Sequence, residues 1–376
     1  MNPARSRPAT VQAHYEKHVY PDLPLLASIR GCDAYALNVE ALWAHFNGKY
    51  LDCNAGRILL AGSGSFSPYP SALANPKAQI IALDLSHENL RRARWHTRLH
   101  GYFNLDFIAG DLLNAVDLFG EKVFHFIDCY GVIHHIREAV AAGRILHTLL
   151  KPGGFIRIMA YSRCARHAIE SAGRALRLLR VNSVREIKAL YRRAKPGSRF
   201  RECLDATPDA AFDAGLADLF LHPYAKTYSV DELLEWLGQA NLQPLQFIHS
   251  GALSEAKAEI LRLRDLEKRG ELTTNFILFA GRREDAALRQ HWKSVKAAGE
   301  TLISLNPVIR RFLPVFPIIP LQPAPRLGFE NPVIDFRGKR LLRRFKNPVP
   351  LRQIEASQRA ALDEYRQAWF WLETER

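Results

Sequence analysis

The chain has 376 residues, 48% of them hydrophobic and 24% charged, which excludes wholesale disorder and allows one large core with a smaller appended unit. Its formal charge of +14 suits anionic partners such as nucleic acid, a membrane surface or acidic small molecules, or else marks a basic surface with no particular ligand. Five scattered cysteines, Cys32, Cys53, Cys129, Cys164 and Cys203, contain no Cys-x-x-Cys pair, which argues against a disulfide framework or structural zinc and leads us to expect no metal and a reducing compartment.

Residues 1–49 read as a helical lead. Met1 to Thr10 is polar and lacks an apolar signal core, and His14-Tyr15-Glu16 and Val19-Tyr20-Pro21 set aromatic groups into the rest of the lead. No apolar run approaches the ~20 residues that span a bilayer, so a cytoplasmic protein is expected. From residue 50 to about 161, short apolar runs alternate with polar helical runs, the pattern of a parallel sheet with crossover helices. The runs are Arg57–Ala61, Gln79–Asp84, Leu105–Ile108, Val123–Cys129 and Gly154–Tyr161, apolar at consecutive positions as expected for strands covered on both faces.

An insertion over 162–228 breaks that rhythm. It opens with many arginines set among Ile169, Leu176, Ile187 and Leu190 at helical spacing, and Lys195-Pro196-Gly197 punctuates it. We expect helices there to cap the carboxyl edge of the sheet as a lid shaping the acceptor site. Ser229 begins a further helix, with Val230-Asp231-Glu232 behind it. Leu245–His249 and Thr273–Ala280 supply the last two strands, closing a domain over 50–283. The extension over 284–376 is a charged helical run, then the proline-interrupted segment Phe312–Pro320, a basic stretch from Arg337 to Lys346, and a final helix predicted over 353–373. Phe312, Phe316, Trp369, Phe370 and Trp371 make it too apolar for a free linker.

The chemistry concentrates at Ile58-Leu59-Leu60-Ala61-Gly62-Ser63-Gly64-Ser65-Phe66, where a strand runs into a glycine turn. Glycines at the carboxyl edge of a parallel strand let backbone approach a ligand. Asp84 ends the next strand, placed to hydrogen-bond both hydroxyls of a ribose; as an alternative it caps the helix beginning at Ser86-His87-Glu88. Asp111, in Gly110-Asp111-Leu112, offers a carboxylate to an adenine amino group, or else caps a helix. A dinucleotide site places a third glycine against its pyrophosphate. Here that position is Phe66, with Pro68 and Pro70 beyond it, which suits an adenosine ligand without phosphates and favours methyl transfer over hydride transfer.

At these residues the chain resembles the class I S-adenosylmethionine-dependent methyltransferases. Arg57–Arg94 resembles their first two motifs, Tyr130-Gly131-Val132-Ile133-His134-His135 a Gly-Val-Leu-His-His signature after the fourth strand, and Leu149-Leu150-Lys151-Pro152-Gly153-Gly154 the turn into the fifth. Asp218-Leu219-Phe220-Leu221-His222-Pro223 is similar to a Phe-Leu-His stretch in a bacterial subset of unknown substrate. The resemblance implies a Rossmann-like, doubly wound α/β fold with seven mostly parallel strands, a helical lid and a carboxyl-terminal extension. It implies S-adenosylmethionine as cofactor, with Gly62, Ser63 and Gly64 along the methionine part, Asp84 and Leu85 at the ribose, Asp111 and Leu112 at the adenine, and Tyr130 and Gly131 beside the sulfonium. Leu60 and Phe66 depart from the family pattern.

Methyl transfer from a sulfonium is an in-line displacement, for which a hydroxyl or carbon acceptor needs a general base. His134 and His135 are the candidate bases, Tyr161 faces the acceptor, and His222 and Tyr224 are candidate substrate contacts; each has a plain packing role as its alternative. Arg174, Arg177, Arg180, Arg185, Arg192 and Arg193 could meet an anionic acceptor or nucleic acid, or form a solvated face. The expected function is methylation of a small molecule. The alternatives are a non-catalytic cofactor-binding or scaffold module, and an RNA methyltransferase using the basic surface.

Overall fold

The computed structural model describes residues 8–51, 56–313 and 319–375. Most of the polar amino terminus, Cys53, Phe316 and most of the proline-interrupted segment lie outside them. Seven strands form the main sheet: β1 (Arg57–Ala61), β2 (Gln79–Asp84), β3 (Leu105–Ala109), β4 (Phe124–Tyr130), β5 (Leu150–Ala160), β6 (Leu242–Phe247) and β7 (Phe276–Arg282), in the order β3-β2-β1-β4-β5-β7-β6. All neighbours over β3 to β5 run parallel, and β7 runs antiparallel to both β5 and β6. This is the expected doubly wound sheet. Between β1 and β4 the winding reverses, and the strand ends open a crevice there for a ligand.

The consecutive apolar residues of the central strands are explained by two cores. Ile58, Leu60, Ile80 and Ala82 face one, while Leu59, Ala61, Ile81 and Leu83 face the other. Alternate side chains point to opposite faces, so burial on both requires an apolar residue at every position.

Ahead of the sheet lie α1 (Pro8–Lys17) and α2 (Val39–Asn47), and within its first half α3 (Pro68–Ala74), α4 (His87–Leu99), α5 (Ala115–Phe119) and α6 (Ala139–Leu149). The insertion carries four helices: α7 (His167–Leu178), α8 (Val184–Arg193), α9 (Arg199–Asp205) and α10 (Asp213–Leu221). It has a small core of its own, including Leu176, Ile187, Leu204 and Phe220. Next comes α11 (Val230–Gln239), whose start at Ser229 is a reciprocal capping box with Glu232. α12 (Ala256–Arg269) precedes β7.

The extension builds a second sheet. β8 (Thr301–Leu305) lies between β9 (Val349–Pro350) and β10 (Trp371–Glu375), antiparallel to both. Around it are α13 (Ala286–Ala298), α14 (Pro307–Phe312), α15 (Phe336–Leu342) and α16 (Ala356–Gln367). The predicted final helix therefore ends early. Trp369 takes a left-handed φ of 57°, which breaks the helix, and the residues beyond it pair with β8. Trp369, Phe370 and Trp371 are all buried, and an extended segment lets successive aromatic groups pack on both sides, which one helix face does not. Ile303, Leu305, Val308, Ile309 and Phe370 join the core shared by Tyr35, Phe46 and Phe155, so the tail is packed as its composition implies. Among the described residues no helix is long and apolar enough to cross a membrane, and Cys32, Cys129, Cys164 and Cys203 are unbridged.

Candidate active site

A cavity of about 380 Å³ opens over the carboxyl ends of β1, β2 and β4, within the range of small-molecule sites. Of the residues predicted from sequence, Gly62, Ser63, Gly64, Asp84, Leu85, Asp111, Leu112, Tyr130, Gly131, His135, Tyr161 and Tyr224 all line it. His134 and His222 do not.

The glycine turn is fixed from both sides. The backbone N–H groups of Gly62 and Ser63 both donate to the Leu83 carbonyl, at 2.8 and 3.0 Å. Gly62 has φ +70°, and a Cβ there would stand 2.5 Å from the Val132 side chain; Gly64 has φ +57°, and its Cβ would stand 2.9 Å from the Tyr20 carbonyl oxygen. Only glycine meets both the conformation and the spacing. Phe66 packs on the His96 ring at 5.2 Å and on Tyr69, so bulk fills the place where a pyrophosphate would need open backbone.

Asp84 is buried at the end of β2. Its carboxylate accepts from Gly64 N–H at 2.8 Å, Ser86 N–H at 2.9 Å and Asn89 Nδ2 at 3.4 Å. Burial pushes its pKa up, opposed by those donors. The helix-capping alternative for Asp84 falls to Ser86, whose hydroxyl accepts from Asn89 N–H and caps α4. For Asp111 capping does occur: it accepts from Leu113 N–H at 2.9 Å while lining the cavity.

The roof comes from the amino-terminal lead, a role that is not legible in the sequence. Val11, Tyr15, Tyr20 and Pro21 line the cavity. The Tyr20 carbonyl accepts from Ser65 N–H at 3.1 Å, Tyr20 N–H donates to Asn89 Oδ1 at 3.1 Å, and the Ser65 hydroxyl donates to the Pro21 carbonyl. Further along, Arg92 pairs with Asp22 at 2.9 Å. The two tyrosines stand out from the polar residues around them, but nothing local marks them as roof.

At the other end, above β4 and β5, the side chains are suited to moving protons. The Tyr224 backbone sets two imidazoles at once: His135 Nδ1 donates to its carbonyl at 2.9 Å, and its N–H donates to His222 Nδ1 at 3.1 Å. His135 therefore keeps an unprotonated Nε2, and His222 carries its proton on Nε2. His135 Nε2 lies 3.9 Å from Asp218 Oδ1. Asp218 also accepts from the Tyr15 hydroxyl at 2.9 Å and the Tyr161 hydroxyl at 3.4 Å. Burial lowers the pKa of His135, with the Asp218 charge acting against it, so the ring is neutral near pH 7.

Donor atoms of His135, Asp218 and His222 lie within 4.8 Å of one another, a spacing that invites a metal. The two rings, however, are only 3.8 Å apart between centres. Imidazoles sharing a tetrahedral ion through bonds of about 2.0–2.1 Å keep their centres roughly 5 Å apart. The Tyr224 N–H also occupies His222 Nδ1 and leaves the proton on Nε2. The cluster fits proton transfer better than coordination.

His134 is wholly enclosed, its ring stacked on Tyr161 at 3.5 Å, with the Arg166 guanidinium 3.6 Å from the same tyrosine ring. The ring does not itself line the cavity but packs on Tyr161, which does. The lid arginines Arg174, Arg177, Arg180, Arg185, Arg192 and Arg193 do not line the cavity. Its lining is instead acidic, with Asp84, Asp111, Glu138, Asp209 and Asp218 against Arg137 and Arg166. Burial and the neighbouring Asp218 push the Asp209 pKa up.

Residues 54–195 match the family model described as a methyltransferase domain. The chain is 27% identical over 252 residues to an uncharacterized protein of Synechococcus sp., an alignment covering 63% of this chain and 59% of that relative. It thus spans about three fifths of the length of the curated relative it matches. In fold it is similar to PKMT2 from Rickettsia typhi, solved in complex with AdoHcy, with a TM-score of 0.56 and 13% identity over 92% of this chain and 76% of the other. A second structure of PKMT2 gives a TM-score of 0.55, also at 13% identity, over 94% and 78%.

Proposed function

We propose that the chain transfers the methyl group of S-adenosylmethionine to a small acceptor held between the ends of β4 and β5 and the lid. The observation that carries this reading is convergence: Gly62, Gly64, Asp84 and Asp111 from successive strand ends share one cavity with the unprotonated Nε2 of His135. In this reading the glycine turn faces the methionine part, Asp84 holds the ribose through its remaining lone pair, and Asp111 and Leu112 border the adenine. When bound, the cofactor supplies an electrophilic methyl group whose leaving group is a neutral thioether.

The protein's own work is positioning and proton removal. Tyr161 and Tyr15 orient Asp218; Asp218 stabilises the imidazolium formed when His135 Nε2 takes the acceptor's proton; the Tyr224 carbonyl holds the ring in the tautomer that can accept it. The roof from Val11, Tyr15, Tyr20 and Pro21 excludes water. Five carboxylates against two guanidiniums disfavour an anionic acceptor, because the repulsion acts at low dielectric.

Calorimetry with S-adenosylmethionine and with its demethylated product tests the pocket, and transfer of a labelled methyl group to fractionated cell extracts tests the activity. Binding of both ligands and labelling of a low-molecular-mass fraction are expected. Absence of binding to either ligand overturns the proposal.

A further inference from the structure

Methyl transfer leaves the outer end of the lid unexplained. Between residues 163 and 201 the sequence carries twelve lysines and arginines against two glutamates, so most of the chain's excess charge sits on this insertion. Its ion pairs to carboxylates are few: Arg163 with Glu232 and Lys188 with Asp213. Arg174, Arg177, Arg180, Arg185, Arg192 and Arg193 are exposed and have no carboxylate partner among the described residues.

At the centre of this charge stand two leucines. Leu178 is 85% exposed and Leu179 65%, at the end of α7, just before Arg180 turns the chain with a left-handed φ of 55°. The lid's other aliphatic residues pack inward: Leu176, Ile187 and Leu204 form its core, and Ile169, Val184 and Leu190 lie against it. Neighbouring helix positions are about 100° apart, so two adjacent exposed leucines are not the fringe of one buried stripe. α7 starts beside Arg166, which lines the cavity, and its 12 residues put the leucines about 17 Å away at the far end.

We propose that this tip docks on an anionic lipid surface, with Leu178 and Leu179 entering the boundary between headgroups and acyl chains and the arginines meeting lipid phosphates. Aliphatic tips ringed by arginine match that interface on both counts, since the apolar groups leave water while the cations neutralise surface charge. Nucleic acid would use the arginines and gain nothing from the leucines; single strands are held by stacking aromatic groups, and the tip's two exposed apolar side chains are both leucines. A symmetric pairing of two copies through the tip would set identical cationic surfaces against each other.

Sedimentation of the full chain with vesicles of phosphatidylcholine alone, and of phosphatidylcholine with phosphatidylserine, tests this. Binding is expected only to the second, falling with added salt. The Leu178→Ser, Leu179→Ser double variant keeps every charge and touches no core residue, so its thermal unfolding is expected to match the parent, while its vesicle affinity drops about tenfold or more. Equal binding to both vesicle types, undiminished binding by the double variant, or binding to single-stranded RNA without binding to vesicles overturns the proposal.

Discussion

Asp84→Asn is the most informative single change. A carboxylate offers about four lone-pair positions. Three are used within the protein, by Gly64 N–H, Ser86 N–H and Asn89 Nδ2, which leaves one, on Oδ2, for a ribose hydroxyl. Losing one hydrogen bond to a charged acceptor costs about 1.5–3 kcal/mol, or roughly 10- to 150-fold in Kd. The asparagine has the same shape, but its amide NH₂ must face one of the two backbone donors, so folding stability should also fall by about 1–3 kcal/mol. Calorimetric titration with S-adenosylmethionine, beside urea unfolding of the same sample, separates the two effects. A folded variant whose Kd stays within about threefold of the parent refutes the ribose assignment, since the expected loss is at least about 1.5 kcal/mol.

The geometry carries four further expected outcomes. His135→Ala should slow methyl transfer by about 10²- to 10⁴-fold with little change in cofactor affinity; parallel loss of both would make His135 a binding residue instead. Because burial lowers the His135 pKa below its ordinary 6.5, the basic form persists as pH falls, so kcat/KM should be level through neutrality and drop only on an acid limb centred below 6.5; a limb centred above neutrality would assign the proton elsewhere. Gly64→Ala forces a Cβ to 2.9 Å from the Tyr20 carbonyl at a φ of +57°, and should cost about 1–2 kcal/mol while exposing the roof segment to faster amide exchange. Glu259 is fully enclosed and accepts from His249 at 2.8 Å, Leu253 N–H at 2.9 Å and Arg262 at 2.7 Å. Burial alone would raise its pKa, but these donors win and hold it at about 2. Its stabilisation is thus complete above the ordinary carboxyl value of 4.5 and is lost as pH falls through about 2. Glu259→Gln should destabilise by about 1–3 kcal/mol in urea unfolding at neutral pH, through the weakened hydrogen bonds from His249, Leu253 and Arg262.

The parts of the fold that sequence reveals are those set by local pattern. β1 and β2 occupy the predicted residues because apolar side chains on both faces, ended by a glycine turn or an aspartate, describe a central parallel strand without further information. Ser229 reveals α11 through a cap closed within one turn. β10 stays hidden, since the aromatic run 369–371 suits helix or strand until β8 is there to pair with it. The candidate site divides the same way. Gly62, Gly64, Asp84 and Asp111 stand at strand ends that the pattern already locates. The proton-handling group depends on meetings across the chain, such as Tyr15 with Asp218 over 203 residues and His135 with Tyr224 over 89. Nothing local separates His134 from His135; the backbone at Tyr224 does.

The roof has a kinetic consequence. Tyr20 lies on the glycine turn at one end of the cavity, and Tyr15 is tied to Asp218 at the other, so one stretch of chain fastens both halves of whatever is inside. Lifting this stretch away from the cavity would break these hydrogen bonds and the Arg92–Asp22 pair. If the proposed cofactor sits beneath this stretch, movement of the polypeptide would be felt at both of its ends at once and would contribute to its residence time.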